Sequence, residues 1–107
     1  MADRVASHIA RFNAAVVSGD WDEFVAGLAA DARMDFVGVP AGPYVGRVEI
    51  ASAYRASPPD DTMDVRSVRT AGATDVVRFA WTRGGAGTLT MTWAADGLVS
   101  GLVVEFD

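Results

Sequence analysis

The apolar residues of this chain change their period about halfway along it. In the first half they recur at helical spacing. Val5, Ile9, Phe12 and Val16 predict an amphipathic helix from about Asp3 to Val17, ended by Ser18-Gly19. Asp20 followed by Glu23 resembles a capping box, which predicts a short second helix with Trp21, Phe24, Val25 and Leu28 on one face. Residues from about Arg33 to Val37 read as a strand. A turn holding Pro40, Gly42, Pro43 and Gly46 follows, each of which restricts or frees the backbone in a defined way. A third helix opens at Arg47, carries Ile50, Ala51 and Tyr54 on one face, and is stopped by Pro58-Pro59.

From Met63 onward the period is two. Met63–Thr70, Val76–Thr82, Thr88–Ala94 and Leu98–Phe106 read as strands, separated by Ala71-Gly72, Gly84-Gly85 and Asp96-Gly97. In the third of these Leu89, Met91 and Trp93 alternate with Thr88, Thr90 and Thr92. Val77, Phe79 and Trp81 give its neighbour a matching apolar face. The plan is α+β: helices packed on one side of a curved, mostly antiparallel sheet.

Composition narrows the function more than the fold. The 107 residues make one domain, residues 1–107, with 50% hydrophobic and 21% charged content and no stretch long enough to span a membrane. The N-terminal MADRVASHIA lacks the apolar segment of a signal peptide, so a cytoplasmic location is expected. No cysteine is present, which excludes disulfides, thiolate nucleophiles and thiolate metal sites. A net charge of -5 speaks against nucleic acid or an anionic membrane surface as partner. No Gly-rich phosphate loop opens a helix, and a single histidine without paired acids gives neither a metal site nor a serine triad, so no cofactor is expected.

Three segments together carry a resemblance: SGDWDEF, the loop-to-helix stretch DFVGVPAGPYVGRVEIASAY, and the ending DGLVSGLVVEFD. The chain resembles the nuclear-transport-factor-2-like superfamily, and within it the ketosteroid-isomerase and SnoaL-like polyketide-cyclase relatives. That resemblance implies a cone-shaped domain with a pocket, and a homodimer. It also implies a proton-transfer site built from an aspartate base, a tyrosine and a protonated aspartic acid. Laid on Gly19-Asp20 and on the Gly46-to-Tyr54 helix, the base falls on Val37 and the oxyanion tyrosine on Phe12. No acid lies between Asp75 and Asp96 to serve as the third group; only a supporting tyrosine is matched, by Tyr54. The Asp-Arg-Asp group of the epoxide-hydrolase relatives is denied by the same acid-free stretch.

Other residues remain as candidates. Asp35 shares a strand face with Val37, so it is the candidate base if that face lines an apolar cavity; the alternative is a carboxylate meeting water or an arginine at the wide end. His8, one turn before Phe12, suits proton transfer by its titration range, or is a core histidine. Tyr54 either orients a ligand oxygen or fills the core, and Tyr44 is a gate over the pocket or a loop aromatic. Phe12, Phe79, Trp81, Met91 and Trp93 form the apolar cavity wall or a solid core. Arg66, Arg69 and Arg78 fall among threonines, on the outer sheet face or at a dimer contact. The leading expectation is a pocket for an apolar polycyclic or aromatic ligand between Phe12, Val37, Tyr54, Met91 and Trp93. The alternatives are an isomerase or cyclase using Asp35 with Tyr54 or His8, and a dimeric interaction module with a filled interior.

Overall fold

A computed structural model describes residues 3–107. Helix α1 (Asp3–Ser18) and helix α2 (Asp22–Ala26) come first, then strand β1 (Leu28–Val37), strand β2 (Tyr44–Val45) and helix α3 (Arg47–Ala56). Strands β3 (Met63–Ala71), β4 (Thr74–Trp81), β5 (Ala86–Trp93) and β6 (Val99–Phe106) complete the chain. They form one six-stranded sheet in the order β2-β1-β6-β5-β4-β3. All pairings are antiparallel except β1 with β6, which run parallel because the chain leaves β1 through α3 and the β3–β5 meander before returning beside it. The α+β expectation holds, with a strand before α3 as the sequence pattern placed it; the element it did not foresee is β2. None of the described helices is long and apolar enough to cross a membrane.

One face of the sheet carries the core. Met34 of β1, Val77 and Phe79 of β4, Leu89 and Met91 of β5, and Leu102 and Val104 of β6 are buried there, under Val5, Ile9 and Phe12 of α1, Phe24 of α2 and Ile50 of α3. The opposite face carries threonines, arginines and short apolar side chains, with the acids Asp35 and Glu105.

Local chemistry explains where elements begin. The expected capping box at Asp20 and Glu23 is absent: α2 starts at Asp22, and Asp20 Oδ1 instead accepts from the Asp22 N–H at 3.0 Å in a local turn. Leu28 does not continue that helix but is the first, fully buried residue of β1. The back-reaching carboxylate belongs to α3, where Glu49 Oε1 accepts from the Val45 N–H at 2.9 Å. Gly46 precedes that helix at φ 94°, a conformation glycine adopts without strain, and its N–H donates to Ala32 O at 2.7 Å. This bond ties the helix start to β1.

Candidate functional site

Strand β1 decides what faces the interior. Side chains alternate along it, and Ala32, Met34 and Phe36 point inward, leaving Arg33, Asp35 and Val37 on the outer face. Asp35 and Val37 do share a face, but it is the one turned away from the helices. Asp35 accepts two hydrogen bonds from Arg33, at 2.9 and 3.0 Å, and that partner holds its pKa below the ordinary carboxylate range. Val37 is 46% exposed. The expectation of a base at an apolar wall is therefore corrected for Asp35, as is the expectation of a ligand contact for Val37. The inward positions of the strand, Met34 and Phe36, carry no titratable group.

The inner half of the interior is filled. Tyr54 stacks on Trp21 at 4.7 Å and meets Phe24 at 5.1 Å, while Phe12 contacts Trp21, Phe24 and Tyr54 edge-on at 5.8–6.5 Å. What remains between them is a void of about 20 Å³, bordered by His8, Phe12, Met34 and Tyr54. That is room for a single water at most. His8 lies in this core, 4% exposed and 5.1 Å from the Phe24 ring. Burial, helped by the charge of Arg11, lowers its pKa to about 4, so it is neutral at physiological pH. Phe79 and Met91 are wholly buried and Trp93 nearly so; none borders the inner void, and they are core, not cavity wall.

A larger cleft opens where β1 and β2 meet α3. It holds about 190 Å³ and is lined by Met34, Phe36, Ala41, Tyr44, Ala53, Tyr54, Ser57 and Pro59. No charged side chain borders it. Tyr54 separates it from the inner void, so of the expected residues only Tyr54 and Tyr44 line this cleft. Burial pushes the Tyr54 phenol pKa up, and the neighbouring Tyr44 adds to the shift, so the Tyr54 hydroxyl stays a protonated donor. Tyr44 also borders a shallow outer groove with Val48, Glu49 and Ser52. Its ring stands between the cleft and solvent, edge-on to Phe36 at 6.4 Å.

Aromatic rings continue along the rim. Phe106 lies 6.3 Å from Phe36 and 6.4 Å from Trp81, both nearly parallel, and Trp81 meets Phe79 at 5.2 Å. Phe36 and Phe106 escaped the sequence reading, although the strand alternation that places Leu102 and Val104 inward could have pointed to Phe106.

A second polar cluster sits at the other end of the sheet. The buried Asp75 accepts from Arg4 Nε at 2.7 Å, Thr70 Oγ1 at 2.5 Å and Trp93 Nε1 at 2.9 Å, with Arg4 also stacked over the Trp93 ring. The Arg4 bond, with the Thr70 and Trp93 donors, keeps the Asp75 pKa low and the carboxylate charged. Oδ2 accepts two of these bonds and Oδ1 the third. It fastens α1 to β3, β4 and β5. Among the described residues no three His, Asp or Glu side chains gather as metal ligands.

A six-stranded mixed sheet with three helices over one face, and a cleft between β1, β2 and α3, defines a nuclear-transport-factor-2-like domain. The SnoaL-like domain model matches residues 9–100, and the chain belongs to that family. Solved structures share the fold at low identity. A SnoaL-like protein of unknown function from Burkholderia thailandensis superposes with a TM-score of 0.80 at 13% identity, covering 100% of this chain and 97% of its own. An NTF2-like protein of unknown function from Mesorhizobium loti gives 0.70 at 19% identity, over 98% and 92%. A steroid delta-isomerase from Pseudomonas aeruginosa gives 0.72 at 16% identity, over 100% and 81%. Among curated proteins none matches the sequence.

Proposed function

We propose that this protein binds a small apolar ligand, a single aromatic ring bearing an oxygen, in the cleft between β1, β2 and α3. The observation that carries the reading is the uncharged lining of that 190 Å³ space, apolar apart from the hydroxyls of Tyr44, Tyr54 and Ser57. A cavity of about 150 Å³ holds benzene, whereas drug-sized ligands occupy about 300 Å³ or more. The volume therefore favours one ring over the polycyclic ligand that the sequence left open. Burying about 150 Å² of ring at about 25 cal/mol/Å² contributes about 4 kcal/mol, and a phenol-to-oxygen hydrogen bond about 1 more. Together these correspond to a Kd on the order of 0.1–1 mM, tightening if Tyr44 closes over the ligand.

The isomerase or cyclase reading has less behind it. A proton-transfer site needs a base within hydrogen-bond reach of its substrate, and no carboxylate or imidazole borders the cleft. Asp35 is turned to the outer face, and His8 lies behind Tyr54 against the inner void. The activity named for the Pseudomonas steroid isomerase is for this reason not carried across. Binding needs no metal or cofactor.

Titration with 4-nitrophenol, read through quenching of tryptophan fluorescence, tests the proposal. Saturable quenching is expected, because Trp81 lies on the aromatic rim. Ala53→Phe, which fills the cleft, should abolish it without loss of the fold. Quenching that Ala53→Phe leaves unchanged, or none up to the solubility limit, would overturn the reading.

A further inference from the structure

Helix α3 ends at the ligand cleft, with Ala53 and Tyr54 of its last turn and Ser57 just beyond it on the wall. The Ser57 N–H closes that turn on Ala53 O at 3.0 Å. The next two residues are Pro58 and Pro59, which have no N–H to give the carbonyls of Tyr54 and Arg55. The negative end of the helix dipole therefore lies beside the cleft without a helical cap. Across the mouth, Pro43 precedes Tyr44 and likewise offers no N–H.

No arginine is placed to receive an anion there. On α3, Arg47 at the far end donates to Leu28 O at 3.3 Å, and Arg55 pairs with Asp22 at 2.9 Å. On β1, Arg33 is bonded to Asp35 on the outer face, and Asp31 is exposed to solvent. In the loop after α3, Asp60 and Asp61 hold Arg83 at 3.4 and 3.7 Å. At the rim, Arg78 is engaged by Asp107 at 2.7 Å. The one charged side chain on the adjoining outer groove is an acid, Glu49, which accepts from the Val45 N–H. His8 lies behind Tyr54 and is neutral.

We propose that the cleft selects its ligand by charge, taking an aromatic ring in its neutral form, as a phenol, and excluding the same ring as a phenolate. This rests on the reading of the cleft as a binding site. An entering anion would give up its water and find only the hydroxyls of Tyr44, Tyr54 and Ser57 as side-chain donors. Against it stand the end of α3, the acid on the groove and a net charge of -5. The burial that keeps the Tyr54 phenol protonated acts in the same direction on a phenol bound beside it. A neutral phenol meets none of these costs, because it donates one hydrogen bond and accepts others from the same hydroxyls. Binding is thereby linked to the ligand's own ionisation: the pKa of the bound phenol rises, and affinity falls once the pH passes the pKa of the free one.

Equilibrium dialysis at about pH 6 and about pH 8.5 with two probes tests this. The probes are 4-nitrophenol, which ionises between those values, and 4-nitroanisole, which has the same ring and oxygen but no proton to lose. His8, with a pKa of about 4, has finished titrating below that range. The 4-nitrophenol affinity should fall at least about tenfold from the lower pH to the higher, while that of 4-nitroanisole stays within about twofold. Ser57→Arg, which brings a guanidinium to the wall, should recover most of the loss for 4-nitrophenol and leave 4-nitroanisole as it was. If 4-nitroanisole binds and 4-nitrophenol keeps its affinity at the higher pH, the charge selection is overturned and the cleft reading stands. If neither probe binds at either pH, the cleft reading falls and takes this inference with it.

Discussion

His8 is the residue whose chemistry most plainly follows from where it lies. Held neutral in the core, with a pKa of about 4 against 6.5 when exposed, it must take up a proton on unfolding whenever the pH lies between those values. The unfolded chain binds that proton first, so stability is full above about pH 6.5 and falls as the pH drops towards 4. Over that window the loss should reach about 3 kcal/mol. Urea unfolding across pH 4–7 should show this slope in the wild type and a flattened one in His8→Gln. An equal slope in both would mean the histidine is charged in the native state. Asp75 differs: its folded pKa is lowered, so its contribution persists until the pH falls below the ordinary carboxylate range. Sequence could offer His8 as a core histidine, but not the Arg4–Asp75–Trp93 cluster, whose members lie up to 89 positions apart and meet only through the fold. Asp35 was misplaced for a related reason. Alternation ties it to Val37, yet it does not say which face looks inward, and a change of phase by one residue exchanges the two.

The elements were most legible where one face alternates cleanly. β4, β5 and β6 lie within about two residues of their expected limits, and α1 and α3 start where they should. β1 begins five residues early, because LAADA carries no strand alternation to announce it. β2, two residues long, falls below any periodic signal; its pairing with Arg33 and Met34 positions Tyr44 at the cleft. At Gly87 of β5 the surrounding strands leave no room for a side chain. A Cβ on Gly87 would come within 2.6 Å of Glu105 O and 2.7 Å of Phe79 Cζ. Gly87→Ala should therefore destabilise the protein by about 1–3 kcal/mol, shifting the urea midpoint down at unchanged m-value. An unchanged midpoint would mean that Glu105 and the Phe79 ring give way there at no cost.

At the scale of the molecule, the family and the α+β plan could be read from motifs, whereas the size of the interior could not. Whether aromatic stripes enclose a cavity or fill it depends on how rings from the three helices interlock. Here Phe12, Trp21, Phe24 and Tyr54 close the inner half and leave the outer cleft beside Tyr44. On the proposed reading, the filled inner half leaves only the shallower outer cleft beside Tyr44 for a ligand. The most direct test is a ¹H–¹⁵N correlation spectrum of the labelled protein titrated with 4-cresol. The account predicts saturable shifts confined to residues 34–36, 41–45 and 53–59, with the inner positions His8 and Phe12 little moved. Shifts centred on the outer face or at the Asp75 end, or none up to the solubility limit, would contradict it.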